Sequence, residues 1–286
     1  MKKLIPWLLA VIAFQAALQF YAGRYLSVLL APAVSSFEVT NSGSDRYSYD
    51  GRFRADLSNE AVKIYTAGSN KPVKEIDLRP TEERTYFSWL QGRDIALVGI
   101  SKTGTKGTIC TLESLNMVTG SQPFQPTITG LSKDAEITGV ACSTETNVIY
   151  IQVTSDTISD IYRSDANNIL TRVGNTPPTI GRIASLSSED ALLYDSVNTG
   201  RVYLVDRKGK QWISPHDGYR YALIGTDQND DIYIARLSGP DTHGSAMLAD
   251  AIMVGKKERA FSLKEKLTPC SVDSIEVSNG GDVTHG

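Results

Sequence analysis

The sequence predicts an all-β fold behind a single N-terminal transmembrane helix. Two observations carry this expectation. One apolar run of helical length stands at the start, and beyond it short runs of Val, Ile, Tyr and Thr alternate with clusters of Gly, Asn, Asp and Ser, the pattern of strands joined by tight turns. With 286 residues and 41% hydrophobic content, the chain beyond that run can close one sizeable core as a single domain.

The apolar run covers residues 4–22 and is interrupted in polarity at Gln15 and Gln19; about 19 such residues cross a ~30 Å hydrocarbon core as a helix. Lys2 and Lys3 precede it, and Arg24 alone follows closely. That asymmetry holds the N-terminus in the cytoplasm and sends the rest across. A cleaved signal peptide is the competing reading, because Ala31-Pro32-Ala33 has the small-x-small form of a cleavage site. The run exceeds the ~7–15 residues of an ordinary signal-peptide core, and Arg24 intervenes, which favours an uncleaved signal-anchor. The leading lysines speak against a buried core helix. Residues 25–34, also apolar, extend the helix or lie along the membrane surface. The chain thus divides into an anchor and juxtamembrane segment, residues 1–34, and an extracytoplasmic domain, residues 35–286.

Beyond Ser35, five strand pairs stand out: residues 53–57 with 62–66, 95–100 with 108–112, 148–153 with 161–164, 192–195 with 201–205, and 232–237 with 251–254. Turn-forming residues separate the members of each. Two units align residue by residue, Ile161-Tyr162-Arg163-Ser164-Asp165-Ala166-Asn167-Asn168 on Val202-Tyr203-Leu204-Val205-Asp206-Arg207-Lys208-Gly209. The shared form puts an aromatic on one strand face and opens a turn with Asp, closed by a residue that tolerates left-handed backbone angles. The offset of about 41 residues matches the ~40–45 of a four-stranded propeller blade. The rhythm therefore predicts a β-propeller of about five blades.

Ser48-Tyr49-Asp50-Gly51-Arg52-Phe53-Arg54-Ala55 resembles the Ser-Pro-Asp-Gly-Arg-x-x-Ala core of the bacterial WD-like propeller repeat, found in the Tol-system propeller and in oligopeptidase propellers. Phe87-Ser88-Trp89-Leu90-Gln91-Gly92-Arg93-Asp94-Ile95-Ala96 resembles a second copy without the Pro and the first Asp. The remaining units keep the spacing and have lost the motif, as at Ser143-Thr144-Glu145-Thr146-Asn147. The resemblance implies a fold in which the Asp-Gly pair turns the chain into the second strand of a blade. It implies no activity, because one fold hosts many functions.

The chemistry has to be sought separately. Lys and Arg number 29 against 32 Asp and Glu, a net charge of -3, so no basic field draws nucleic acid. No Gly-x-Ser-x-Gly elbow is present, and the length leaves no room for a hydrolase domain gated by the propeller. Thr103-Gly104-Thr105-Lys106-Gly107-Thr108 lacks the Gly-Lys-Ser/Thr ending of a phosphate-binding loop and reads as a hairpin. Asp227-Gln228-Asn229-Asp230-Asp231 is the densest acidic cluster; without the Gly and terminal Glu of an EF-hand loop it reads as a turn rather than a calcium site.

Asp156 with Asp160, and Glu189 with Asp190, sit in expected turns, with no reason to be buried together and so no start for acid-base catalysis. Cys110, Cys142 and Cys270 are too few and too dispersed for a disulfide framework or a metal site; Cys110 with Cys142 could bridge, or all three could be small buried hydrophobes. His216, His243 and His285 have no metal-ligand spacing. Tyr65, Tyr150, Tyr162, Tyr194, Tyr203 and Tyr233 fall on strands, where an aromatic packs between sheets with its hydroxyl at an edge. Trp89 and Trp212 read as core or as recognition anchors.

The expectation is thus a membrane-tethered module that binds another envelope protein or a surface ligand, with no catalytic, cofactor-binding or metal-binding residue assigned. Two alternatives stand beside it, a cell-surface glycan-active enzyme with carboxylates lining the channel and a structural subunit of an envelope complex. The last residues, Val272-Asp273-Ser274-Ile275-Glu276-Val277, alternate apolar and polar and are expected to complete a sheet with an early strand.

Overall fold

A computed structural model describes residues 45–285, apart from 59, 79–82, 91, 123–124, 157, 175 and 241–246. The expected anchor, residues 1–34, lies outside the described residues. Among those described, no helix is long and apolar enough to cross a membrane.

Five antiparallel sheets of four strands follow one another, each built from consecutive strands in chain order. The first holds β1 (Asp45–Tyr47), β2 (Phe53–Leu57), β3 (Ala61–Thr66) and β4 (Pro72–Asp77). The second holds β5 (Glu83–Trp89), β6 (Ile95–Gly104), β7 (Gly107–Asn116) and β8 (Thr127–Leu131). Next come β9 (Glu136–Ser143), β10 (Val148–Ser155), β11 (Ile158–Ser164) and β12 (Leu170–Arg172). The fourth sheet is β13 (Ile180–Ser185), β14 (Leu192–Ser196), β15 (Arg201–Asp206) and β16 (Gly209–Trp212). The fifth is β17 (Arg220–Thr226), β18 (Ile232–Pro240), β19 (Met247–Lys256) and β20 (Arg259–Ser271). A two-stranded ribbon, β21 (Ile275–Val277) with β22 (Val283–His285), ends the chain.

All five strand pairs expected from the sequence are the second and third strands of a sheet. From the second sheet on, the second strands carry the core in both directions, since alternate residues face opposite neighbours. In β10, Ile149 and Ile151 pack toward the second sheet and Tyr150 toward the fourth. In β14, Leu192 and Tyr194 face the third sheet while Leu193 faces the fifth. A strand buried on both sides reads as a continuous apolar run, which is why these strands are the most legible. The fourth strands border solvent, as in β4, where Val73, Lys74 and Glu75 are exposed.

Five apolar clusters hold the sheets together, each between two consecutive ones. Ala55, Val62 and Ile64 meet Phe87, Ala96 and Val98 across the first interface. Leu97 and Leu112 meet Ile137 and Ile149 across the second. Ile161 meets Ile180 and Leu192 across the third, and Leu193 and Leu204 meet Leu223 and Ile234 across the fourth. Tyr233, Ala235 and Ile252 meet Ile275 of the ribbon in the last. The first strands touch in the same succession, β1 with β5, then β9, β13, β17 and β21. This is the radial order of a propeller-type fold, but among the described residues no strand pairing joins the ribbon to the first sheet.

The tail forms a local hairpin. Val272–Ser274 is a 3-10 turn opened by Ser271, whose hydroxyl accepts the Asp273 N–H, and Ile275–Val277 pairs with Val283–His285. Ser278 to Asp282 supply its closing turn, with Gly281 at φ 86°, the left-handed region that glycine enters without steric cost. The expected early partner strand is not found among the described residues, and residues 35–44 lie outside them.

Candidate functional site

In a four-stranded meander the turns after the first and third strands emerge on the same face. On that face the first turns form a polar chain from sheet to sheet. Arg52 pairs with Asp94. Arg93 donates to the Thr144 carbonyl at 2.5 Å, and the Glu145 N–H donates to the Ser187 carbonyl at 3.0 Å. Ser143 Oγ donates to the carbonyls of Ser187 and Glu189, both at 3.1 Å. Ser187 N–H donates to Asp230 at 2.5 Å, and Gln228 N–H to the Asn279 carbonyl of the ribbon turn at 3.0 Å.

Between this inner ring of turns and the outer ring, formed by the turns after the third strands, runs a groove of about 860 Å³ across the third, fourth and fifth sheets. Its inner wall is acidic, with Glu189, Asp190 and Asp230; its outer wall carries Arg207, Lys208, Lys256 and Lys257. Val148, Leu186 and Ala166 add apolar surface. The outer turns are rigid for a reason the sequence states twice. Asp165 accepts the Asn167 N–H at 2.9 Å and Asp206 accepts the Lys208 N–H at 2.8 Å. Both turns close on a left-handed residue, Asn168 at φ 60° and Gly209 at φ 116°, as the alignment of these segments requires.

Ion pairs bridge the two walls. Arg163 holds Asp190 by two bonds, Nε to Oδ1 at 3.1 Å and Nη2 to Oδ2 at 2.6 Å, and Tyr150 donates its hydroxyl to Oδ1 at 2.5 Å. The Arg163 guanidinium holds the Asp190 carboxyl below its ordinary value, against the effect of burial. Burial and the acceptor Asp190 together push the Tyr150 hydroxyl far up. Lys257 lies between Glu189 and Asp206, 2.7 Å from an oxygen of each. Burial works against the Lys257 charge, but the two carboxylates outweigh it and hold the ammonium above its ordinary value. Lys256 reaches Asp231 at 3.4 Å.

The first strands enclose a second space, a central channel of about 420 Å³ with Ser88, Val140, Cys142, Ile183 and Ile224 on its walls and Arg93, Glu145, Gln228 and Asn279 at its mouth. A Cβ on Gly92 would come within 3.2 Å of Asn279 Nδ2, so the ribbon turn reaches the turn of the second sheet across this mouth.

The acidic cluster Asp227 to Asp231 is a turn whose carboxylates are all engaged. Asp227 accepts the N–H groups of Asn229 and Asp231 and the Tyr233 hydroxyl; Asp230 binds Ser187 and Ser188. Among the described residues, no group of three or more His, Cys, Asp or Glu could hold a metal ion. Asp156 and Asp160 are not partners: Asp160 pairs with Arg172, while hydrogen bonding to Asp134 lifts the Asp156 carboxyl. Thr103 to Thr108 is the hairpin between β6 and β7.

Cys110, Cys142 and Cys270 are free thiols, and burial pushes that of Cys142 up to about 11. His216 stacks on Trp212 at 3.6 Å between centroids, His285 meets Glu265, and His243 lies outside the described residues. Trp89 packs edge-on against Phe87 and stacks with Phe53 at the first interface. Of the expected strand tyrosines, Tyr150, Tyr194 and Tyr233 are buried; the hydroxyls of Tyr150 and Tyr233 meet turn carboxylates. Sequence reasoning missed Arg163, Lys257 and Asp206 as wall residues. Their signal lies in the charged tips Asp206-Arg207-Lys208 and Lys256-Lys257-Glu258, which stand at matching third-strand turns.

No family model matches the chain, and no curated protein matches it. Among solved structures, TolB from Acinetobacter baumannii is similar at 14% identity and a TM-score of 0.50, covering 83% of this chain and 58% of that one. A luciferin-regenerating enzyme matches at 9% identity and 0.47, covering 82% and 77%; Hsv2 from Kluyvelomyces marxianus matches at 14% and 0.46, covering 83% and 69%. The chain thus spans 58% of the length of TolB, itself a β-propeller. At such identity the likeness speaks to fold, and the fold of residues 45–285 is propeller-type.

Proposed function

We propose that the protein is a membrane-anchored, extracytoplasmic β-propeller of about five blades that binds another envelope protein through the rim groove. The observation that carries this reading is the groove itself, long enough to cross three sheets and walled by turns that their own hydrogen bonds hold in place. Preformed walls lower the ordering cost of binding. Asp190 and Asp206 are both held below the ordinary carboxylate range, the reverse of what a general acid needs. The glycan-enzyme alternative asks for two carboxylates across the channel; Glu145 is the one carboxylate among the described lining residues. The anchor rests on Lys2, Lys3 and the apolar run of residues 4–22.

The test is capture of partners from native membranes by the full chain and by an Arg207→Glu, Lys208→Glu variant. The reading expects a partner retained by the parent and lost from the variant, with equal melting temperatures. An unchanged partner set would remove the groove from consideration. Protease added to spheroplasts tests the topology separately and should digest the domain beyond residue 34 while sparing Lys2 and Lys3.

A further inference from the structure

The motif turn Ser48-Tyr49-Asp50-Gly51-Arg52 does more than reverse the chain. The Arg52 guanidinium reaches two carboxylates at once, Asp50 in its own turn and Asp94 in the turn of the second sheet. Asp50 is further engaged by the Ser48 hydroxyl at 2.9 Å and the Arg52 N–H at 3.0 Å. The Asp94 side chain is only 2% exposed, and its Oδ1 is buried without a hydrogen-bond partner. One guanidinium, itself 30% exposed, therefore faces two carboxylates of which Asp94 is sealed from water, and one Asp94 oxygen lacks a donor while both are ionised. A buried acceptor left unpaired costs about 1–3 kcal/mol, and the excess charge adds to that cost.

A single proton removes both faults. Arg52 brings the two carboxylates together on one guanidinium, so a proton on Asp94 gives the pair a donor and leaves one negative charge for Arg52. We propose that the junction of the first and second sheets is a proton-sensitive clasp: Asp94 and Asp50 share one proton when it is closed, and loss of that proton loosens the first sheet from the second.

The electrostatics agree in sign. Burial first, then the hydrogen bond and charge of Asp50, push the Asp94 carboxyl up to about 6, against the pull of Arg52. Burial also works to raise Asp50, but the hydrogen bonds it accepts hold it below its ordinary value. Among the described residues, the groups facing Asp94 are Ser48, Tyr49, Asp50 and Arg52 from the first sheet, the Ser48 hydroxyl opposing the upward shift; its neighbour Arg93 turns away to the Thr144 carbonyl. A folded carboxyl above its unfolded value binds more protons folded than unfolded, so its contribution falls as pH rises through the interval between the two values. The clasp is tightest near the ordinary carboxylate value and loosens as pH rises from there to about 6, above which the contribution of the shared proton is gone. The apolar cluster of Ala55, Val62 and Phe87 keeps the sheets in contact in either state.

Hydrogen exchange of the full-length protein in detergent micelles, at about pH 5 and about pH 7.5 and corrected for intrinsic rates, reads this directly. Protection of residues 53–66 relative to residues 192–206 should fall at the higher pH, by at most about tenfold, because only about one pH unit of the shift lies above pH 5. Asp94→Asn carries a permanent donor toward Asp50, so its ratio should stay constant with pH. Should that variant fail to fold, Asp50→Asn removes the repulsion on Asp94 but leaves it buried, so it should weaken the pH dependence without abolishing it. A pH-independent ratio in the parent protein, or an undiminished dependence in a folded variant, would overturn the proposal.

Discussion

Ser187 and Asp230 stand in the first turns of neighbouring sheets, and the backbone N–H of one donates to the carboxylate of the other at 2.5 Å. Asp230 also accepts from the Ser188 hydroxyl and sits at φ 59°, a conformation that Asp and Asn tolerate better than other side chains. Asp230→Asn keeps the backbone preference and removes the charge from these bonds. A loss of about 1–2 kcal/mol is expected, measured as a lower urea midpoint with an unchanged slope.

The outer turns give a paired test of repeat equivalence. Asn168 and Gly209 occupy matching left-handed positions after Tyr162 and Tyr203, which are third-strand residues of adjacent sheets. Asn168→Gly should leave stability within about 0.5 kcal/mol of the parent, while Gly209→Ala, forced to φ 116°, should cost about 1 kcal/mol or more. Equal effects on thermal unfolding would refute the equivalence.

Ile275 is fully buried in the cluster that fastens the ribbon to the fifth sheet. Ile275→Ala should cost about 2–5 kcal/mol, the range for truncating a core aliphatic. A cost under about 0.5 kcal/mol, the scale of surface substitutions, would mean the ribbon is not a fixed part of the fold.

Asp195 links the fourth and fifth sheets, accepting the Arg182 N–H at 2.6 Å and a backbone hydrogen bond from Leu223. Burial pushes its carboxyl up to about 6 despite those bonds. Its contribution to stability is therefore largest at low pH and is lost as pH rises toward about 6, where the buried charge forms. Asp195→Asn keeps one acceptor and never ionises. The difference in unfolding free energy between variant and parent should shift in the variant's favour between about pH 4 and about pH 7; a pH-independent difference would show that Asp195 is neutral throughout. Gly181 is tied to the same site, because a Cβ there would come within 2.7 Å of Asp195 Oδ1, so Gly181→Ala should destabilise the chain.

The interior of the later sheets could be read from the sequence because β6, β10, β14 and β18 are apolar on both faces and end in recognisable turns, whereas β2, with Arg54 and Asp56 on one face, was read from its alternation. The turn chemistry of Asp165 and Asp206 was equally plain, since it depends on residues two apart. What escaped was set by distance along the chain. The partners of Lys257 are Glu189 and Asp206, and no local pattern announces that three turns from different sheets will share one groove. The tail hairpin was not legible because an alternating strand does not name its partner, and the left-handed Gly281 that closes its turn lies outside the strand pattern.

Each sheet takes its four strands from one uninterrupted stretch of chain, which bears on synthesis. At about 5–20 residues per second, a ribosome releases a whole sheet every few seconds, and its ladder can form at once. Its core cannot, because every apolar cluster spans two successive sheets. The growing molecule thus always carries one bare apolar face that waits for the next sheet. The last such face, with Tyr233, Ala235 and Ile252, is covered by residues 272–283, made only after all five sheets. Products that stop short of them keep that face open to one another, so nascent-chain truncation exposes a sticky surface even when all five sheets are present.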